Sequence, residues 1–280
     1  MLDLQRPRDL GRILDDAFAF YRAHWQTLLA VAAAVVVPVQ LLVYGVGLGW
    51  LWEGYDKPPS GQVQLGDVTD SLVGLAAQLL IITPLVTAMT VHVVRNAGAG
   101  RQASTGEALR EGFRVFGPLL AAVVLVGLGV IAGMLFFIIP GLYLAVRWVV
   151  VPQVVVVEGV TGGDALQRSM DLTRNQGWFA FLVLIVTNLL VAVFAQLLLV
   201  PLDYAAEQAN SQALDLLGQV LGALVSLPML AVAQTLLYYA LQANRTPGVA
   251  TQSPQAPPPQ TLPGVPGTFG EGFAPPRPPD

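Results

Sequence analysis

Six long runs of apolar residues dominate this chain of 280 residues. The hydrocarbon core of a bilayer is about 30 Å thick, so one helical crossing needs about 20 mostly apolar residues. The runs cover residues 28–52, 72–94, 119–139, 142–157, 179–200 and 216–241. The fourth run is the shortest and contains Arg147, and Pro140-Gly141 before it predicts a tight hairpin with the third run. The pattern predicts an all-α polytopic membrane protein, with six transmembrane helices arranged as three hairpins.

The composition excludes several other classes of protein. Only 11% of the residues are charged, whereas a soluble domain carries about a quarter. The net charge of −4 gives no basic surface for nucleic acid, so no nucleic-acid partner is expected. The chain has no cysteine, which excludes disulfides, thiolate metal sites and cysteine nucleophiles.

The positions of the basic residues predict the orientation, because short cytoplasmic loops of membrane proteins carry an excess of Lys and Arg. Eleven arginines lie at the termini or in alternate connections: Arg6, Arg8, Arg12, Arg22, Arg95, Arg101, Arg110, Arg114, Arg168, Arg174 and Arg245. The other connections hold Lys57 with the acidic residues Glu53, Asp56, Asp67, Asp203 and Glu207. Both termini are therefore predicted to be cytoplasmic. The first apolar run is too long for a signal peptide, so we interpret it as a span.

A short amphipathic pattern precedes the first, third and fifth spans. Its three copies begin at Gly11, Gly106 and Gly163, and in each copy polar residues lie one, four and five positions after the glycine. This spacing forms one helical stripe, and a Leu and a Phe or Met lie on the opposite face. Ser104 and Glu107 form a capping box at the second copy, and Arg168 has helical spacing from Asp164. Each hairpin is thus predicted to follow an interfacial amphipathic helix, and true internal repetition stays open.

The last 35 residues differ in composition from the rest of the chain. Residues 246–280 hold eleven of the 21 prolines and almost no aliphatic residues. Such a segment cannot bury enough apolar surface to offset its ordering entropy. We therefore expect a six-helix transmembrane domain over residues 1–245 and a disordered cytoplasmic tail over residues 246–280. The tail is an inert spacer or a docking segment for a proline-recognising protein.

Arg147 is the polar residue that most needs an explanation, because an arginine inside an apolar span is costly and usually has a partner. The fourth run places it about six residues, or on the order of 9 Å, from the outer end. One interpretation is contact with a lipid phosphate or another anion. The favoured interpretation is a structural pairing with Asp203, Glu207 or Asp215, or snorkelling towards the surface.

The remaining polar residues of the spans have structural and functional interpretations. Glu158 ends the fourth span. His92 lies near the end of the second span and is more typical of a packed side chain than of a metal ligand. Asn188 and Gln196 of the fifth span suit hydrogen bonds between helices, or else the lining of a polar cavity. Proline interrupts four spans, at Pro38, Pro84, Pro152 and Pro228, and either kinks them or marks a moving part.

Nothing in the sequence indicates catalysis. No span contains two acidic residues, no glycine-rich phosphate loop is present, and no Ser–His–Asp set can be assembled. We therefore expect no enzymatic activity, no catalytic residue, no cofactor and no metal.

One continuous stretch resembles a known family. It comprises IPGLYLAVRW at residues 139–148, Pro152, residues 154–158 and ALQRSMDLT at residues 165–173. This stretch is similar to the membrane domain that precedes some bacterial glycerophosphoryl diester phosphodiesterases, and to stand-alone six-span inner-membrane proteins related to it. The resemblance covers residues 9 to about 245. It implies a bacterial inner-membrane location, but no phosphodiesterase activity, because the catalytic barrel has no counterpart here.

These observations favour an integral membrane protein that is a non-enzymatic scaffold or a lipid-associated factor. Its expected partners are membrane lipids, with a protein partner at the tail and a homo-oligomer left open. The alternative is a transporter or channel for a small solute or lipid, with proline-broken helices opening around Arg147. A scaffold predicts a dry apolar bundle, whereas a transporter predicts a polar cavity at mid-depth.

Overall fold

The computed structural model describes residues 8–45, 72–101, 103–209 and 212–244, without the side chains of Tyr44, Asp203, Glu207, Gln212, Ala213 and Asp215. Seven helices form within these ranges. They are α1 (Leu10–Gln40, continued by a π-helical turn at Leu41–Gly45), α2 (Leu72–Gly98), α3 (Thr105–Phe136), α4 (Ile138–Glu158), α5 (Gly162–Thr173), α6 (Gly177–Ala209) and α7 (Gln212–Ala243). All except α5 are long and apolar enough to cross a membrane. The prediction of an all-helical chain with six candidate spans is confirmed, and the predicted tail lies outside the described residues.

The amphipathic segments are helical. The first copy is separated from the rest of α1 by a kink at His24, whose backbone leaves the helical region at φ −123° and ψ 20°, and the third copy is the separate helix α5. The second copy is continuous with α3, so the expectation of a distinct helix before the hairpin is wrong there. In α3 the predicted capping box is present: the Glu107 amide donates to the Ser104 hydroxyl at 3.2 Å, and the Ser104 amide donates to the Glu107 carboxylate at 3.4 Å.

The three copies of the amphipathic pattern are buried in the same register. In each copy the second and sixth residues after the glycine are buried: Ile13 and Ala17, Ala108 and Gly112, Ala165 and Ser169. The residue seven positions after the glycine lies outwards in the first two copies, where Phe18 and Phe113 are more than half exposed. Besides its polar stripe and its exposed apolar face, each segment therefore has a buried face of mostly small residues. These residues are four positions apart and pack onto the bundle.

The second helices of the three hairpins form the centre of the bundle. The helices α2 and α7 contact each other and the last eight residues of α4. Around them, α1 contacts α7, α3 contacts α2, and α5 contacts α4. The helices that contain the amphipathic segments thus each contact the second helix of another hairpin. The helices α2, α4 and α7 finish on the same side of the bundle. We call this side the basic end, because the predicted cytoplasmic arginines lie there.

Two of the three prolines of these central helices coincide with departures from regular α-helix. A π-helical stretch, Gln78–Ile82, ends one residue before the Thr83-Pro84 pair of α2. In α4 the helix is interrupted just before Pro152, whereas α7 continues past Pro228. Proline lacks the amide hydrogen and crowds the carbonyl four residues earlier, so a departure from regular helix is favoured on that side.

The turn between α3 and α4 lies three residues before the predicted position. Phe137 is the single extended residue, at φ −161° and ψ 150°, and α4 already begins at Ile138. Pro140 and Gly141 lie in the first turn of α4 instead of forming the tip, so that prediction is corrected. Proline is tolerated there because the first amides of a helix have no intrahelical partner.

Glycines allow α3 and α4 to approach closely. A Cβ atom on Gly133 would lie 3.0 Å from the Cα of Gly141, and one on Gly141 would lie 2.7 Å from the amide nitrogen of Met134. A Cβ on Gly129 would overlap the ring of Trp148. The Gly129–Gly133 spacing therefore serves close helix packing, and Trp148 packs inside this hairpin.

Replacing Gly141 with alanine is expected to destabilise the protein by about 1–3 kcal/mol, because the new methyl group would overlap backbone atoms of α3. The matched control is Gly127→Ala on α3, where a Cβ meets nothing within 4 Å. That change should be neutral or stabilising by about 0.5–1 kcal/mol, since alanine favours a helix interior over glycine. Thermal unfolding in detergent measures both, and equal melting temperatures for the two variants would contradict the close approach.

Candidate functional site

The interruption of α4 is the local feature from which the candidate site is built. The helix consists of two parts, Ile138–Arg147 and Val151–Glu158, with a turn at residues 148–150. Pro152 cannot donate to the Trp148 carbonyl, and its ring excludes that carbonyl from the helical position. The Trp148 carbonyl instead accepts the amide hydrogen of Val151 at 3.1 Å. In a continuous helix the Val151 amide would donate to the Arg147 carbonyl. The Arg147 carbonyl is therefore left without its intrahelical donor.

Helix α5 supplies the missing donor. The Ser169 hydroxyl donates to the Arg147 carbonyl at 2.8 Å. The Thr173 hydroxyl lies 3.3 Å from the same oxygen, and its nearest acceptor is the Ser169 carbonyl of its own helix at 2.9 Å. Ser169 and Thr173 are fully buried. An unpaired carbonyl in an apolar interior costs on the order of 1–3 kcal/mol, so the Ser169 bond fastens α5 to the break in α4.

The side chain of Arg147 is half-buried beside the break. Its guanidinium carbon lies 5.7 Å from the centre of the Tyr143 ring, a distance at which the cation is attracted to the ring face. Its Nε atom is buried and has no hydrogen-bond partner within the described part of the chain. The three predicted acidic partners have side chains outside the described residues.

The predicted depth of Arg147 needs a correction. Because α4 begins at Ile138, Arg147 lies nine residues, or about 14 Å, from the hairpin turn. The figure of about 9 Å was too small, because the sequence-based span began four residues later. Arg147 also ends the first part of the helix, so its position is tied to the break itself.

Glu158 lies in a polar cluster at the basic end. It is the last residue of α4, and Gly159 follows with a left-handed backbone at φ +71°, which suits glycine at a helix C-terminus. The Glu158 carboxylate accepts hydrogen bonds from the Arg168 Nε at 2.8 and 3.0 Å and from the Tyr238 hydroxyl at 2.7 Å. Tyr238 is fully buried. The hydrogen bond that the Arg168 guanidinium donates to Glu158 raises the pKa of Arg168.

This cluster joins three helices and differs from the predicted pairing. Arg168 donates to Glu158, ten residues away in sequence, instead of to Asp164 on its own helix. Tyr238 comes from α7, so one carboxylate connects α4, α5 and α7. A charged partner on a neighbouring element outweighs the helical spacing, because the Glu158 pair is more protected from water and so less screened.

A second polar contact lies deeper between α4 and α7. The Gln153 side-chain amide donates to the Gln234 side-chain oxygen at 3.4 Å, and Gln153 is fully buried. The oxygen of Gln153 and the hydroxyl of Thr90 are buried without a hydrogen-bond partner within the described residues. The sequence analysis missed Gln153 and Tyr238. A single amide inside the run of valines at residues 149–157 is the signal that could have revealed Gln153.

The other predicted positions do not join this site. His92 Nε2 lies 2.8 Å from the Asn96 amide on its own helix. The Asn188 amide donates to the Leu184 carbonyl at 2.7 Å within α6. Asn188 and Gln196 both lie on exposed faces of α6. Within the described ranges no three His, Asp or Glu side chains come together as a metal site requires.

Comparison with protein-family models, with curated proteins and with solved structures gave no match.

Removing the Ser169 hydroxyl tests the link between α5 and the break. Ser169→Ala is expected to lower stability by about 1–3 kcal/mol, because the buried Arg147 carbonyl loses its shorter donor. The control is Thr235→Val, since the Thr235 hydroxyl bonds only the Ala231 carbonyl of its own helix. Chemical unfolding in detergent measures both variants. A loss of stability no larger for Ser169→Ala than for Thr235→Val would argue against the role of Ser169 in fastening α5 to α4.

Neutralising Glu158 tests the cluster at the basic end. Glu158→Gln should destabilise the protein by about 2 kcal/mol, because Arg168 loses its counter-charge and the one remaining side-chain oxygen must accept from both Arg168 and buried Tyr238. Glu111→Gln is the matched control. Glu111 accepts from Arg114 at 2.8 Å on the surface of one helix, where a pair contributes less than about 1 kcal/mol. Similar shifts in melting temperature for both variants would contradict the clamping role of Glu158.

Proposed function

We propose that this polytopic membrane protein is a non-enzymatic scaffold or lipid-associated factor of the bacterial inner membrane, with both termini in the cytoplasm. The observation that carries the proposal is the arrangement of polar side chains at the basic end. Glu158, Arg168 and Tyr238 bond one another, and Ser169 bonds the backbone of α4. These contacts hold the helices in a fixed arrangement and leave their outer faces for lipids or another protein.

The exposed apolar surface supports an association with lipids. Large apolar side chains are exposed along most of α6 and along α3 from Val124 to Phe136, among them Leu128, Ile131, Leu189 and Leu197. A soluble protein rarely exposes so large a contiguous apolar surface. The amphipathic segments carry the phenylalanines Phe18 and Phe113 on exposed positions, as helices in a membrane interface do.

A transporter or channel is the second proposal, and the broken α4 is the observation that favours it. Broken helices carry the binding sites of many transporters, and here the break lies beside the buried Nε of Arg147. Against this proposal, Asn188 and Gln196 lie on exposed faces of α6. The resemblance of residues 139–173 to the phosphodiesterase-associated membrane domain also stays a proposal and carries no hydrolytic activity.

The proposed orientation has a direct test with single cysteines, because the chain has none. Thr161→Cys between α4 and α5 should react with a membrane-impermeant maleimide only after spheroplasts are lysed. Ser60→Cys in the connection after the first span should react in intact spheroplasts, because the positive-inside rule places it outside. The reverse pattern would invert the orientation.

Native mass spectrometry after extraction in a mild detergent distinguishes the two proposals. For a scaffold we expect a protein partner at fixed stoichiometry, bulk lipid only, and no change in an Arg147→Leu variant. For a lipid transporter we expect one lipid class at fixed stoichiometry, lost in Arg147→Leu and kept in Arg22→Leu. The second variant removes an exposed arginine near the start of α1, so it controls for unspecific attraction of anionic lipids.

A further inference from the structure

Two buried oxygen atoms of the central helices have no hydrogen-bond partner among the described residues. One is the side-chain oxygen of Gln153 on α4, and the other is the hydroxyl oxygen of Thr90 on α2. Both residues are fully buried, so bulk water does not reach either atom. Polar atoms inside a folded protein are normally hydrogen-bonded, and each exception needs an explanation.

The side-chain amide of Gln153 is directed towards α7. Its nitrogen donates to the Gln234 side-chain oxygen at 3.4 Å, which is longer than the usual N–H···O distance of about 2.9 Å. The oxygen of the same amide accepts nothing within the described ranges. Residues 149–157 are otherwise seven valines and Pro152, so this single amide lies in apolar surroundings with its acceptor unused.

Contacts near the basic end place Thr90 at the same level as the Gln153–Gln234 bond. Arg95 of α2 lies within electrostatic range of Tyr239 of α7. Thr90 comes five residues before Arg95, and Gln234 comes five residues before Tyr239. Because α2 and α7 both end at the basic end, these equal steps correspond to the same rise of about 7–8 Å. Thr90 and Gln234 therefore lie at about the same depth in the bundle.

The packing of α2 turns Thr90 away from α3. The preceding residue, Met89, packs against Gly112 of α3, where an added Cβ would overlap the Met89 side chain. Successive residues of a helix are rotated by about 100°, so Thr90 has a different direction from Met89. Helix α2 also contacts α7 and the last eight residues of α4, and these elements carry Gln234 and Gln153.

The two unpaired oxygens are separated by a gap. A threonine hydroxyl can donate to an amide oxygen, so the two groups would form a hydrogen bond if they were in direct contact. Neither atom has such a bond in the described part of the chain. A buried water molecule commonly fills a gap of this kind, since it can bond several polar groups that do not reach one another.

A polar route leads to this level from the basic end. Tyr238 lies one helical turn after Gln234 on α7, and its hydroxyl donates to the Glu158 carboxylate at 2.7 Å. Glu158 also accepts from Arg168, whose side chain is 37% exposed. One turn of helix rises about 5–6 Å. The polar layer at Gln234 is thus the next polar level below the cluster that meets water.

We propose that Thr90, Gln153 and Gln234 form a hydration site that holds one water molecule between α2, α4 and α7. The water donates to the Gln153 side-chain oxygen and bonds the Thr90 hydroxyl, so both unpaired atoms gain a partner. Gln234 orients the Gln153 amide from α7. The proposal goes beyond the proposed function and does not depend on the choice between scaffold and transporter, because one enclosed water makes no continuous path across a membrane.

A structure of the unmodified full-length protein that shows ordered water, by crystallography or cryo-electron microscopy, tests the site directly. We expect one density peak within hydrogen-bond distance of both the Gln153 side-chain oxygen and the Thr90 hydroxyl. An empty gap would overturn the proposal. A peak with six or more oxygen neighbours at about 2.4 Å would also overturn it, because that geometry indicates a metal cation.

A double-mutant cycle tests whether the two side chains share one ligand. Thr90→Val and Gln153→Met keep the approximate size of the side chains and remove their oxygens. Each single variant should raise the equilibrium constant for unfolding in detergent about tenfold, because the other side chain loses its bridged partner. The double variant should raise it by much less than the product of about a hundredfold, since the second change removes an interaction that is already lost.

The matched control cycle replaces Thr235 instead of Thr90. Thr235 is a fully buried threonine next to Gln234, and its hydroxyl donates to the Ala231 carbonyl of its own helix at 2.6 Å. The effects of Thr235→Val and Gln153→Met on the unfolding constant should therefore multiply. Effects of Thr90→Val and Gln153→Met that multiply in the same way would contradict a shared water molecule.

Discussion

The hydrogen bonds between α5 and the broken α4 are the constraint on which much of this structure depends. The helix is interrupted just before Pro152, and the break frees the Arg147 carbonyl. A free carbonyl in an apolar bundle must find a donor, and Ser169 provides it at 2.8 Å. The adjacent Arg168 bonds Glu158. Two successive residues of an otherwise amphipathic helix therefore fasten it to α4.

The sequence predicts the helices well and their connections poorly, for a physical reason. The length of an apolar run and the positions of arginines are properties of single segments. The six candidate spans could therefore be identified from the sequence alone. The turn at Phe137 could not, because it depends on the contact between Gly133 and Gly141 on different helices. Pro140 is compatible both with a tip and with the first turn of a helix. Only the packing of α3 on α4 decides between these positions.

The candidate site was likewise predictable from the sequence only in part. Glu158 and Arg147 were recognisable because charges stand out in apolar runs, and both lie at ends of the two parts of α4. Their partners were not recognisable. Arg168 satisfies helical spacing with Asp164, and the partner that it bonds is defined only by how α5 folds back on α4. Tyr238 is one of two adjacent tyrosines near the end of an apolar run, and no local pattern distinguishes it from Tyr239.

The break in α4 also connects the packed end of the molecule with its exposed apolar end. On the basic side of the break, Val151, Gln153 and Val154 are fully buried, and on the other side Leu142 and Tyr143 are exposed. Since the Ser169 hydroxyl donates to the Arg147 carbonyl, the first part of α4 is attached to α5 at its last residue. A continuous α4 would remove that attachment, because its Arg147 carbonyl would be bonded within the helix and would leave Ser169 without a partner.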